Sequence, residues 1–267
     1  MLKQRVITAL LLVFLLGGVL FFLPSIYVPP AFVVIVACAG WEWVRLMRLS
    51  NSAGYLFAVA LMLVCWQILV GVPESVTSIF GISAAFWLVI APLWFRKKWP
   101  LAGNDAFGYG IGLLVIVPTW LAMVVLFRAS PWLLLAVMAI CWVADISAYF
   151  VGRRFGRRKL APTISPGKTW EGVAGGVIGV LIYGGLVLNF SPLKDHWTMG
   201  FFGTVLVLLV LTAVSVAGDL FESLLKRQAG IKDSSQLLPG HGGVLDRIDS
   251  LTSTLPLAAL IYRCVGQ

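Results

Sequence analysis

The chain has 267 residues, of which 60% are hydrophobic and 12% charged, with a formal net charge of +9. Soluble domains carry about 25% charged residues, so this composition excludes a water-soluble globular protein and points to a lipid bilayer. The basic residues sit at the ends of apolar segments, which excludes nucleic acid as the partner and suits anionic lipid headgroups.

Apolar stretches of about 20 residues are long enough to cross a hydrocarbon core of about 30 Å. Nine are predicted, over residues 6–23, 28–47, 54–72, 79–95, 107–127, 132–151, 171–190, 200–217 and 248–265. The expected fold is therefore all-α: one polytopic integral membrane domain over 1–267 with its N-terminus cytoplasmic. Within it, residues 1–130 supply helices for structure, lipid contact or a homodimer, and 131–267 carry the catalytic helices and cytoplasmic loops.

Lys3 and Arg5 ahead of the first segment resemble the basic start of a signal peptide, but Pro24-Ser25-Ile26-Tyr27 replaces a small-residue cleavage site. That segment is read as a membrane helix. Pro29 and Pro30 delay the second helix, and Pro92 is predicted to kink the fourth or end it early. Glu42, in Gly40-Trp41-Glu42-Trp43, has two readings: an interfacial carboxylate paired with Arg45 at helical spacing, or a site residue. The pairs Gly108/Gly112, Gly172/Gly176 and Gly175/Gly179 have the small-xxx-small spacing that lets helices approach closely. Cys38, Cys65, Cys141 and Cys264 show no metal-site spacing and read as small apolar side chains.

With the N-terminus inside, 17 of the 20 Lys and Arg residues fall on the inner side, and Arg128, Lys194 and Arg263 are left outside. A bias of this size supports both the span count and the orientation. Two long inner loops follow, 152–170 and 218–247, and long polar loops against a membrane domain are where function concentrates.

Asp145 lies deep in the sixth segment, where a carboxylate needs a cation, a metal or a polar cavity; an ion pair fixing helix register is the bland alternative. The basic run from Gly152 to Lys159 reads as a topology anchor that also attracts anionic headgroups. In Ser165-Pro166-Gly167-Lys168-Thr169-Trp170-Glu171-Gly172, hydroxyls, a lysine and free amides at a helix start suit a phosphate, although the spacing is not that of a Walker A loop.

The stretch from Asp219 to Asp249 is the richest. If 218–228 continues the eighth helix, Asp219, Glu222, Ser223 and Lys226 share one face; if 245–249 opens the ninth, Asp246 and Asp249 do too. Such carboxylates suit hard divalent cations, and the neighbouring Lys and Arg suit the phosphates those cations bridge. His241, among glycines, is open to reading as a metal ligand, an acid or a hydrogen-bond donor.

The run from Ser223-Leu-Leu-Lys226-Arg227 through Lys232-Asp233 and Pro239-Gly-His241-Gly-Gly to Asp246-Arg247-Ile248-Asp249 resembles the signature of phosphatidate cytidylyltransferases. Asp145 with Tyr149, Gly152 and Arg153, and the 165–172 stretch, are similar to other motifs of that family. The resemblance implies a Mg²⁺-dependent reaction of CTP with phosphatidic acid that gives CDP-diacylglycerol and pyrophosphate. It assigns catalysis to Lys226, Asp246, Asp249 and Lys168. It also implies a two-metal site, its second ion unassigned, held by Asp219, Asp246 and Asp249 with Asp145 and Glu222 as alternative or supporting ligands. Arg227, Lys232 and Arg247 would hold CTP phosphates or pyrophosphate, Ser165 and Thr169 a phosphate group beside Lys168, and Ser223, Asp233 and His241 complete the substrate contacts. The implied address is a bacterial plasma membrane with the site on the cytoplasmic side. A transporter for an anion is the rival class, disfavoured because the charges gather on one side and no inverted repeat is present.

Overall fold

In hydrocarbon every backbone amide must be satisfied within its own segment, and this chain answers with helices. The computed structural model describes residues 2–71, 75–190 and 199–265, so Lys194 and Val72 lie outside the described residues. Ten α-helices follow in order: α1 (Leu2–Phe21), α2 (Val28–Leu46), α3 (Asn51–Val70), α4 (Val76–Ala85), α5 (Ala91–Lys97), α6 (Asp105–Ala129), α7 (Pro131–Phe155), α8 (Trp170–Phe190), α9 (Phe201–Ala229) and α10 (Leu245–Val265). One two-stranded antiparallel ribbon, β1 (Lys159–Ala161) with β2 (Ser165–Thr169), interrupts the helical chain between α7 and α8.

Seven helical segments among the described residues are long and apolar enough to cross a membrane: Ser25–Leu46, Asn51–Val70, Val76–Lys97, Asp105–Ala129, Pro131–Phe155, Trp170–Phe190 and Phe201–Ala229. The first and last of the nine expected segments are not among them. The apolar part of α1 is the shorter stretch Ile7–Phe21. α10 is polar because it is the inner helix, packed against α2, α4, α6, α7 and α9, so its neighbours and not lipid are its solvent. Two of its hydroxyls bond backbone carbonyls inside the bundle: Ser253 Oγ donates to the Val214 carbonyl at 2.6 Å and Thr254 Oγ1 to the Ser250 carbonyl at 2.9 Å. Pro256 cannot donate to the carbonyl of Thr252 one turn back, and Thr119 Oγ1 on α6 supplies that bond at 3.3 Å.

Three further expectations are corrected. Pro92 does not end its helix. A π-helical turn, Phe86–Ile90, precedes it and leads into α5, where Pro92 sits in the first turn and needs no amide partner. α9 runs twelve residues past the predicted 217, to Ala229, and stops at Gly230, whose φ of +73° favours glycine. The 165–169 stretch is a strand, and the helix behind it opens at Trp170.

The glycine spacing does what its pattern predicted. α7 and α8 approach so closely that a Cβ on Gly176 would lie 3.1 Å from the Ala144 carbonyl, and one on Gly175 would lie 2.5 Å from Val151 Cβ. Gly112 on α6 gives the same clearance to Trp43 on α2, at 2.7 Å. Gly175→Ile is therefore expected to overpack this contact by about 1–3 kcal/mol and lower the unfolding temperature in detergent, read by a thermal melt. An unchanged melt would mean that the two helices are not held at this separation.

Candidate active site

Three helix ends and the ribbon meet at one place. The extension of α9 puts Asp219, Glu222, Ser223 and Lys226 on one face, at i, i+3, i+4 and i+7. α7 brings Asp145, the first turns of α10 bring Asp246 and Asp249, and β2 brings Lys168.

These groups divide into two sets. In the inner set, Lys226 Nζ lies 2.6 Å from both Glu222 Oε2 and Asp246 Oδ1, with side chains 12%, 5% and 4% exposed respectively. Charges this far from water persist only where each finds partners. Asp246 has a full complement: its Oδ2 accepts from the Ser234 amide (2.9 Å), the Ser234 hydroxyl (2.9 Å) and the Gly243 amide (2.8 Å). Gly242, at φ +83°, turns the chain so that this can happen, and a Cβ there would sit 2.7 Å from Asp246 Oδ2. Asp246, expected to be a metal ligand, here contacts Lys226 and anchors the loop. Glu222, another expected ligand, is committed to Lys226 through Oε2, with Oε1 buried and without a hydrogen-bond partner.

In the outer set, Lys168 Nζ pairs with Asp219 Oδ2 at 2.5 Å, and Ser223 Oγ donates to Asp219 Oδ1 at 3.3 Å. Asp145, Asp219 and Asp249 come from three different helices and repel one another, with Lys168 and Arg247 offsetting part of the field at Asp145. The two sets together hold five carboxylates against three cations, Lys168, Lys226 and Arg247, a formal charge of −2. Among the described residues no three His, Cys, Asp or Glu side chains converge tightly enough to hold a metal ion by themselves.

The remaining expected residues are less central. Thr169 is buried: its hydroxyl accepts from the Gly172 amide at 3.1 Å, and Gly152 and Gly156 pack against it, so it caps α8. Ser165 is half-buried and pairs in the ribbon opposite Ala161. Glu171 reaches back to the amides of Arg157 and Arg158 at 3.0–3.2 Å, closing the base of the ribbon. Arg227 Nε donates to the Ile164 carbonyl at 3.4 Å, tying α9 to the ribbon turn. Lys232, Asp233 and Arg247 are exposed on the rim. His241 donates its amide to Leu238 at 2.8 Å, and its Nδ1 is buried without a partner.

One residue was not assigned. Glu42 on α2 is fully buried and does not pair with Arg45, whose guanidinium lies over the Trp41 ring at 5.0 Å. Its Oε1 accepts from Ser235 Oγ (2.5 Å) and the Val244 amide (2.9 Å), and its Oε2 from Ser234 Oγ (3.1 Å) and the Leu245 amide (2.6 Å). The only sequence signal was an acid inside an apolar segment.

Farther along α6 to α10, toward the ends away from the acids, lies a cavity of about 320 Å³ lined mainly by Leu133, Val137, Ile140, Tyr183, Leu208 and Ala258. Its walls are mainly apolar.

Residues 3–265 match the model of the cytidylyltransferase family. A Pseudomonas aeruginosa protein named phosphatidate cytidylyltransferase is 39% identical, covering 100% of this chain and 98% of its own length. A Haemophilus influenzae protein of the same name is 36% identical over 98% of this chain and 99% of its own. One from Thermotoga maritima is 32% identical over 86% and 85%.

Proposed function

The chain belongs to the cytidylyltransferase family, and we propose on that premise that it transfers a cytidylyl group from CTP to phosphatidic acid. A phosphate oxygen of the lipid attacks the α-phosphorus of CTP, the bond to the β-phosphate breaks, and CDP-diacylglycerol and pyrophosphate result. No protein nucleophile is required; the work is to bring two anions together and hold them.

The observation that carries this reading is the pairing of a caged lysine, Lys226 between Glu222 and Asp246, with an outer group of Asp145, Lys168, Asp219 and Asp249. A site of formal charge −2 repels CTP and a lipid phosphate unless cations join it. Asp145, Asp219 and Asp249 offer only hard oxygen donors, and Mg²⁺ is usually held by one or two carboxylates with the rest of its shell from water and substrate phosphates. These residues fit that ion, and they are the ones that would hold it. Bound there, Mg²⁺ supplies charge neutralisation at the phosphates. Lys168 and Arg247, at the edge of the acids, orient the phosphate groups, and Lys226 faces the α-phosphate from below. Lys232 on the rim and the exposed Arg227 beside the ribbon turn draw the nucleotide in from solvent.

The lipid half of the reaction is supported by the membrane helices and by the apolar cavity on the same helices, of a chemistry that suits an acyl chain. Nine crossings are proposed, the seven apolar helices with α1 and α10, and the N-terminus is proposed to be cytoplasmic. Support for the orientation comes from 17 of 20 basic residues on one side and from Thr8 Oγ1, near the start of α1, donating to the Pro239 carbonyl in the site loop at 3.0 Å. The address is then a bacterial inner membrane with the site facing the cytoplasm. A homodimer would use the exposed apolar faces of α1 and α3.

Pyrophosphate release by the purified protein in detergent tests the whole reading. Release is expected only when CTP, phosphatidic acid and Mg²⁺ are all present, and other nucleoside triphosphates are expected to fail. No release from folded protein under any combination would overturn it.

A further inference from the structure

The loop around Asp246 is held from both halves of the chain. Asp246 itself binds it from the C-terminal half, and Glu42 binds it from the N-terminal half. This carboxylate is fully buried and accepts four hydrogen bonds. Two donors are backbone amides at the start of α10, Val244 and Leu245, one on each carboxylate oxygen. The other two are adjacent hydroxyls, Ser234 and Ser235. The packing around it is tight: a Cβ on Gly243 would collide with both Glu42 Oε1 and Ser234 Oγ.

The two serines differ in one respect. Ser235 Oγ bonds Glu42 and accepts from the Leu237 amide at 3.1 Å, and goes no further. Ser234 Oγ stands between two carboxylates, 3.1 Å from Glu42 Oε2 and 2.9 Å from Asp246 Oδ2, and its single proton serves both. The chain of contacts therefore runs Glu42, Ser234, Asp246, Lys226.

We propose that Glu42 is a positioning residue for the transfer reaction: through Ser234 and the first amides of α10 it fixes Asp246, and thereby Lys226, against the reacting phosphates. The proposal rests on the cytidylyltransferase reading, and it gives the N-terminal helices a part in the chemistry beyond scaffolding.

The donor pattern makes a sharp demand. Both helix amides need an acceptor, and Gln offers one oxygen; whichever way its amide turns, an N–H faces an N–H at either Val244 or Leu245. Glu42→Gln, though isosteric, is therefore expected to lower kcat about 100-fold, with KM for CTP and lipid held within about twofold because the rim contacts are untouched. Asp at this position, one methylene short, does not rescue. Ser234→Ala is expected to lower kcat about tenfold and Ser235→Ala hardly at all, although the two lose similar bonds to Glu42. In the Glu42→Gln background the further effect of Ser234→Ala is expected to vanish, because the path is already broken.

The experiment is steady-state pyrophosphate release by wild type, the three single variants and the Glu42→Gln/Ser234→Ala double variant, with amide hydrogen exchange over residues 232–245 on the same samples. Unequal serine variants, non-additivity and faster exchange of the Ser234 and Gly243 amides in Glu42→Gln support the proposal. Equal effects of the two serines, or additive losses, would reduce Glu42 to a structural brace and overturn it. A wild type that releases no pyrophosphate would refute the reaction itself. The exchange data then decide the placement alone: unchanged protection of those amides in Glu42→Gln would overturn it.

Discussion

Asp246→Asn is expected to lower turnover by on the order of 1,000-fold while the protein remains folded and membrane-inserted. Asn keeps the shape of the side chain, so the size of the effect follows from hydrogen-bond polarity. Asp246 Oδ1 meets the Lys226 ammonium at 2.6 Å, and Oδ2 meets the amides of Ser234 and Gly243 and the Ser234 hydroxyl at 2.8–2.9 Å. An NH₂ turned toward Lys226 opposes an ammonium; turned the other way it opposes two backbone N–H groups. Either orientation leaves a buried donor without an acceptor, and the first also releases Lys226. Pyrophosphate release checks the rate, and a single symmetric peak in size-exclusion chromatography checks the fold. Turnover near wild type would remove Asp246 from the machinery.

Lys226→Met is expected to be worse, since it costs both activity and stability. The substitution is close in volume but leaves Glu222 and Asp246, 5% and 4% exposed, facing each other without their cation. Removing one partner from a buried charge group costs about 3–5 kcal/mol, so the melting temperature in detergent falls along with turnover. Adding Glu222→Gln removes one of the stranded charges. The double variant is expected to regain most of the lost stability and none of the activity. Recovery of both would mean that Lys226 serves only to neutralise Glu222, and that the phosphates do not need it.

Much of the fold could be read from the chain because the bilayer imposes a simple rule. A segment that faces lipid must be apolar along about 20 residues, and each of the seven helices that meet this condition overlaps a predicted span. The same logic located the tight contacts at Gly112, Gly175 and Gly176, since only a missing Cβ allows backbones so near. It also marked Asp145, Asp219, Glu222, Asp246 and Asp249, because carboxylates are too costly beside hydrocarbon to occur there without purpose. A helix continued past 217 would put the acids of 219–226 on one face, and α9 does continue to Ala229.

Hydropathy could not describe α10, whose Ser, Thr and Asp residues are suited to a helix buried among other helices over most of its length. Nor could it foresee the ribbon, three to five residues per strand, which is held by a cap at Thr169 and the reach of Glu171 to Arg157 and Arg158. Residue type fixed which side chains are able to do chemistry, and spacing fixed which of them share a helix face. Partnership was decided by tertiary structure alone. That Asp246 belongs to Lys226 while Asp219 belongs to Lys168, and that Glu42 crosses from the second helix to the loop more than 190 positions away, depend on how helices from both halves pack. A hydrogen bond acts over about 3 Å in space and is indifferent to distance along the chain.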